Sequence, residues 1–364
     1  DGLLGNDIIV LDTPSYDAPP TGAGTLEYST EGELVYAVTT SSLTSDGNLA
    51  DALTSAAESP NAGTGATRVA FGTNIRSAIQ LTSTVELDAG ISLDGRQRIN
   101  TNTGGYTIGR PVDIDGSRLT AGDRYGFDIT DPLAGPSIDD TRISGLAFYG
   151  FNESAPLTGG NSGAGIRLND ISSDVYITDN YFGLRSNGRS SRNANGIVVG
   201  KYDGGGQMTI SGNTIVRSSG AGVLIDPVLA GDIAAGDPAG AVEDVIISNN
   251  LIGTNQRRRN YRNVDGIVLD GTGDSALGTA TIDDIQILDN MVAYSSNNGI
   301  TVRGTTNSVI QDTVLTLNRA NGIAIGDDDA AAFSTEIAVV GNDITRSGTN
   351  GVYVGNGSSK IDIG

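Results

Sequence analysis

From Val69 onward, aliphatic residues recur at every second position in short runs broken by polar pairs and glycines, and the whole pattern returns along the chain. Ile210–Val223 reads ISGNTIVRSSGAGV, Ile287–Ile300 reads ILDNMVAYSSNNGI, Ile310–Ile323 reads IQDTVLTLNRANGI and Val339–Val352 reads VVGNDITRSGTNGV, and these align without a gap. Each opens on an aliphatic residue, places Asn or Thr three positions on, and closes on Gly-Ile or Gly-Val. Units starting at Ile177 and Ile247 fit the same template with seven extra residues before Gly196 and Gly266, and a looser copy runs from Ile143 to Gly165. Alternation with period two predicts strands. Its regular return predicts coils that must stack, because a lone coil cannot cover its own apolar face. The expected fold is all-β: a right-handed single-stranded parallel β-helix, a β-solenoid, with neighbouring coils about 4.8 Å apart.

Two polar columns accompany the strands. Asn195-Gly196, Asp265-Gly266, Asn298-Gly299, Asn321-Gly322 and Asn350-Gly351 read as sharp turns taken by residues that tolerate positive φ. Asn180, Asn213, Asn250, Asn290, Thr313 and Asn342 read as a ladder of stacked side chains satisfying backbone groups at a bend, the alternative being a row of sugar ligands.

The first part of the chain is less regular. Residues 1–38 read as an extended arm or a partial Ig-like segment, and 39–364 as the β-helix, divided into a capping-helix region (39–68), irregular first coils (69–142) and regular coils (143–364). Ser45–Ser59 has candidate caps in Ser45, Asp46 and Asn48, a shared face of Leu49, Leu53 and Ala56, and a stop at Pro60, so a short helix is expected to cover the open end of the stack. At the other end Ile361 and Ile363 begin a further coil, an uncapped one onto which another copy or another surface protein could stack.

Composition agrees with many short strands and tight turns: 364 residues with 52 Gly, 12 Tyr, 6 Phe and no Trp. A net charge of −21 argues against nucleic-acid and anionic-membrane partners. The absence of Cys and His removes disulfides, thiolate chemistry and the commonest general base and zinc ligand. No apolar run long enough for membrane insertion is present, and the expected setting is secreted, extracellular or at the cell surface.

Val38–Gly95, with its helix, Val-x-Phe strand, Ile-x-Leu-Thr strand and Asp-Gly ending, resembles the entry segment of bacterial right-handed parallel β-helix repeat proteins of the pectate-lyase-like superfamily. NYFGLRSNGRSSRNANGI and NLIGTNQRRRNYRNVDGI resemble the same family's long coil. The resemblance spans residues 38–364 and implies the coil architecture, with many relatives at surfaces or secreted. DGLLGNDIIV and GTLEYSTEGELVYAV are similar to Ig-like or cadherin-like adhesin repeats, and GLLGNDIIV half-matches a calcium-binding nonapeptide with Leu3 in place of Gly.

Two sets of residues carry candidate chemistry. Asp289 and Asp312 occupy equivalent places on successive coils, with Asp179 in the same column, so that acids about 5 Å apart would repel one another or recruit Ca2+; the plainer alternative is turn-forming Asp. No other cofactor is implied. The acidic run Asp327, Asp328 and Asp329 reads as a solvated turn; a resemblance extending to lyases would imply an Arg or Lys base beside calcium-binding Asp, and Arg303 and Arg319 lie in nearby coils, though no lyase motif picks them out. The opposite charge is concentrated in the two inserts, which carry Arg185, Arg189, Arg192 and Arg257, Arg258, Arg259, Arg262, with Tyr261 beside them. These fall at one corner of two coils separated by an insert-free coil, about 10 Å apart in rise. Such a patch suits the carboxylates or sulfates of an acidic polysaccharide, or an acidic surface on another copy of the chain, the alternative being solvated loops. The expected role is an extracellular structural or adhesive solenoid, self-assembling or part of a larger surface protein. The rivals are a polysaccharide-active enzyme, as a His-independent lyase, and a phage-type glycan-binding fibre.

Overall fold

The computed structural model describes residues 26–30, 33–41, 48–57, 67–88, 90–99, 106–119, 125–130, 140–152, 163–202, 205–227, 240–272, 281–326 and 333–364. These form a parallel β-helix with three long sheets. Each coil contributes a strand to the first sheet, turns sharply into the second, and passes through a corner of variable length into the third. One regular coil is thus Met208–Ser211, Thr214–Ile215 and Ala221–Ile225. Register is kept for long stretches: Ile143, Ile177, Ile210, Ile247, Ile287 and Ile310 pair in turn along the first sheet, as do Phe148, Phe182, Ile215, Ile252, Val292 and Leu315 along the second.

Those inward columns form one continuous core, and nearly every member is fully buried. Each aliphatic side chain taken out of water contributes about 1.5–3 kcal/mol. Phe148 stacks on Phe182 with ring centroids 5.2 Å apart and meets Phe127 edge-on at 5.0 Å, so aromatic side chains fill this part of the core.

The Asn ladder is present. Asn213 Oδ1 accepts the backbone N–H of Asn180 and Asn250 Oδ1 that of Asn213, both at 2.9 Å, and Asn290 Oδ1 accepts that of Asn250 at 3.0 Å. Their Nδ2 groups donate downward to the carbonyls of Ile177, Ile210 and Ile247. Each side chain therefore satisfies a donor and an acceptor that the bend would leave unpaired. Thr313 accepts from Asn290 N at a longer 3.3 Å, and its hydroxyl has no second arm to reach down. Asn180, Asn213, Asn250 and Asn290 are at most 2% exposed, so the column is scaffold rather than a row of sugar ligands.

The Asn-Gly and Asp-Gly pairs differ from expectation. Gly196, Gly266, Gly299, Gly322 and Gly351 are not among the positive-φ residues. Four of them are required by contact instead: a Cβ on Gly266 would lie 2.3 Å from the Gly299 carbonyl oxygen and 2.4 Å from Val292, and Gly196, Gly299 and Gly322 are similarly crowded. Positive φ is used one corner earlier, at Asp179, Gly212, Asn249, Asp289, Asp312 and Gly341, just before each ladder residue.

A helix forms at Leu49–Ala57, with Leu49, Ala52, Leu53 and Ala56 buried against the strands Glu33–Val38 and Thr67–Gly72. Ala52 N–H bonds the Asn48 carbonyl oxygen at its start. Sequence reading assigns this helix to the open end. In the structure the first sheet runs on past Thr67–Gly72: Glu33–Val38 pairs with it in parallel, and Leu26–Thr30 pairs antiparallel with Glu33–Val38. Backbone pairing continues that edge, and the helix flanks it. Ser45, Asp46, Pro60, residues 1–25 and the Asp327–Asp329 run lie outside the described residues. Ile361 pairs with Ile337, so the further coil begun at residues 359–363 does form.

Candidate functional site

Both arginine inserts lie at the corner between the second and third sheets. They leave the strands Tyr181–Phe182 and Leu251–Ile252 and rejoin the third sheet at Asn195–Val199 and Asp265–Asp270. Tyr181 pairs with Thr214 and Thr214 with Leu251, so the inserts are two coils apart in a common frame.

Each insert is fixed by its own polar residues. In the first, Arg185 N–H bonds the Arg189 carbonyl, Gly188 N–H bonds the Arg185 carbonyl, and Asn187 Oδ1 accepts from Arg189 N–H, closing a tight hairpin. Ser186 anchors that hairpin two coils back, its N–H and hydroxyl each bonding one carboxylate oxygen of Asp113, at 2.7 and 2.8 Å. In the second, Asn255 Oδ1 accepts from Arg257 N–H and Arg259 N–H, the Asn255 carbonyl accepts from Arg258 N–H, and Thr254 Oγ1 donates to the Arg259 carbonyl. The backbone is thus held while six of the seven arginines stay exposed and Arg185 is half-buried. None of the seven insert arginines forms an ion pair among the described residues.

The structure sorts these residues into two clefts. The first, about 360 Å³, lies between the inserts and is lined by Arg185, Arg257, Arg259 and Tyr261, with Tyr181 and Thr214 of the second sheet also lining it. The second, about 680 Å³, takes Arg192 and Arg262 together with Arg217. Arg189 and Arg258 are exposed and line neither. Arg185 is set by stacking, its guanidinium 4.5 Å from the centroid of the buried Tyr149 ring. Burial, with Asp113 and Asp115 next in importance, pushes the Tyr149 hydroxyl well above the usual tyrosine range, so the ring stays neutral beneath the cation.

Arg217 escapes sequence reading because it belongs to an ordinary repeat between the inserts. Its φ is 60°, in the column held by Tyr294, Leu317 and Arg346 in later coils, one residue past the column of Gly183 and Gly253, and its N–H bonds the Tyr261 carbonyl. A second ladder is also missed. Asn193, Asn263 and Asn318 accept from the N–H groups of Phe151, Ser218 and Ser295 and donate to the carbonyls of Phe148, Ile215 and Val292. The signal is there but shifted: Asn193 precedes Gly196 by three positions, whereas Ser218 precedes Gly222 by four, so an ungapped alignment misplaces the column.

The acid column has a backbone explanation. Asp289 and Asp312, with φ of 54° and 50°, occupy the left-handed turn position that Gly212, Asn249 and Gly341 fill in other coils. Asp312 Oδ2 accepts from Gln311 Nε2. Among the described residues no three acids, Cys or His are grouped to hold a metal. Arg303 and Arg319 do not join the column: Arg303 ends a third-sheet strand and pairs with Asp270 at 3.1 Å, and Arg319 lies at the corner of the inserts.

No protein-family model and no curated protein sequence matches the chain. Among solved structures it is similar to PfbA, a surface adhesin of Streptococcus pneumoniae (14% identity, TM-score 0.48, 86% of this chain and 74% of that one). It is also similar to a mutant DFA-IIIase from Arthrobacter chlorophenolicus A6 (12% identity, TM-score 0.48, 86% and 79%). A third is a mutant of the periplasmic alginate epimerase AlgG (14% identity, TM-score 0.42), which covers 82% of this chain while the chain spans 62% of that protein.

Proposed function

We propose that this chain is an extracellular β-solenoid that holds acidic polysaccharide at the corner between its second and third sheets. The observation that carries the reading is the convergence of unpaired Arg185, Arg257 and Arg259 on one cleft beside Tyr181 and Tyr261, in a chain of net charge −21. Held guanidinium groups bond carboxylates or sulfates in pairs, and tyrosine offers a flat apolar face with a polar tip to a sugar ring. A strongly acidic body around a small basic cleft also repels polyanions everywhere else, which directs them there.

The experiment is binding to immobilised polygalacturonate against a neutral glucan. Retention of the protein on the acidic polymer alone, weakening as salt rises and lost in the Arg257→Ala/Arg259→Ala variant, is the expected result. Equal retention of that variant, or equal binding to the neutral glucan, overturns the reading. Unsaturated product formed on incubation would replace the adhesive role with a lyase activity.

A further inference from the structure

The cleft between the inserts does not end at the first insert. A second trough, about 550 Å³, lies on the earlier side of it, lined by Arg76, Arg98 and Arg110, and Pro111, Ser186 and Asn187 line both. The Ser186–Asn187 turn is therefore a sill between two basins of one track. Asp113 is the one acid lining either basin, and both of its oxygens are taken by Ser186. Six arginines and this one acid line the two basins, so the charge of their lining is net positive.

Arg98 is the distinctive group in the new basin. It stands on the strand Ser92–Ile99, which folds back in antiparallel pairing with Tyr106–Ile108 and so leaves the regular coil. Its Nη2 donates to the Arg110 carbonyl at 2.8 Å, while its Nη1 is buried with no hydrogen-bond partner among the described residues. Burial lowers its hold on the proton, with Asp113 acting in the opposite direction. A desolvated guanidinium with a spare donor is stabilised by an anion.

Position along the axis adds the decisive point. Val112–Asp115, next to Arg110, pairs with Leu146–Tyr149, which pairs with Tyr181–Phe182, next to Arg185; Thr214–Ile215 and Leu251–Ile252 follow, next to Arg257 and Arg259. Cationic groups therefore recur every second coil, about 10 Å apart. An extended polyanion laid along the axis therefore meets a cationic group at a regular interval.

Resting on the reading above, we infer that the ligand is a linear polyanionic polysaccharide lying along the helix axis, with its acidic groups held in turn by Arg257 and Arg259, Arg185, and Arg98 with Arg110. A single charged sugar or a chain end would use one basin only. A chain spanning both gains from tethering: once one group is held, the next is presented at high local concentration.

Titration calorimetry with size-fractionated oligogalacturonates, from disaccharide to decasaccharide, tests this on the whole chain. Affinity is expected to climb about a hundredfold with length and then level off once the oligosaccharide reaches the Arg98 basin. The Arg76→Ala/Arg110→Ala variant, both positions exposed, should lose that climb and keep disaccharide affinity within about twofold, and Arg98→Gln should do the same. Length-independent affinity, or a climb unaltered in both variants, overturns the axial track and leaves the insert cleft standing. No binding at any length overturns the cleft as well.

Discussion

At the corner between the first and second sheets each coil from Asp179 to Asn342 turns on two residues, one in the left-handed conformation and one polar residue bonded to the neighbouring coil, while the Ile143 coil has Gly145 and Leu146 there. At the next corner the length changes from coil to coil, and arginines point outward. Asn250 and Arg257 are only a few positions apart in sequence, yet the first is fully buried with its side chain bonded above and below, and the second is exposed with no ion pair among the described residues. A corner whose backbone groups are buried must satisfy them from its own side chains, and that leaves no freedom for length or charge. A corner that reaches solvent can lengthen without disturbing the core.

The largest test of this contrast is Asn250→Ala. It strands the Asn213 N–H and the Ile210 carbonyl in the interior, each costing about 1–3 kcal/mol, so stability should fall by about 3 kcal/mol in chemical denaturation while polysaccharide retention by the folded fraction is unchanged. Arg257→Ala/Arg259→Ala should show the reverse, with stability within about 0.5 kcal/mol of the parent and retention lost. Thr313→Asn is smaller and of opposite sign. Restoring a downward donor to the Ile287 carbonyl should stabilise the chain by about 1 kcal/mol, visible as a rise in Tm.

The smallest test concerns Asp265, which stands where neighbouring coils carry Asn298, Asn321 and Asn350. Burial raises its pKa, against bonds from Asn298 N–H and Asn297 Nδ2 and the field of Arg303. The folded state therefore binds this proton more tightly than the unfolded chain. Ionisation costs nothing below the ordinary aspartate range, and the cost grows as pH rises through the raised value. Asp265→Asn should raise Tm at neutral pH, by less than about 1 kcal/mol in stability, with the gain vanishing in acid. A gain independent of pH would show that charge is not the cause.

Much of the fold is legible in the chain because each coil repeats the same local problem. The aliphatic columns and the ladder from Asn180 to Asn342 are set by periodicity alone, and the inserts stand out as departures from it. The second ladder is hidden by the shift those inserts introduce, and the Gly196 and Gly266 positions look like turn glycines until the neighbouring coil is seen to occupy the space of a Cβ.

The sequence by itself determined that this chain stacks β-coils and that two coils carry arginine-rich inserts, since both follow from short-range pattern and count. The tertiary structure alone decided which arginines share a cleft, that Arg217 joins Arg192 and Arg262, and that Arg98 and Arg110 line a trough bordered by the same Ser186–Asn187 turn. Those neighbours lie tens of residues apart in the chain, and only the register of stacked coils brings them side by side.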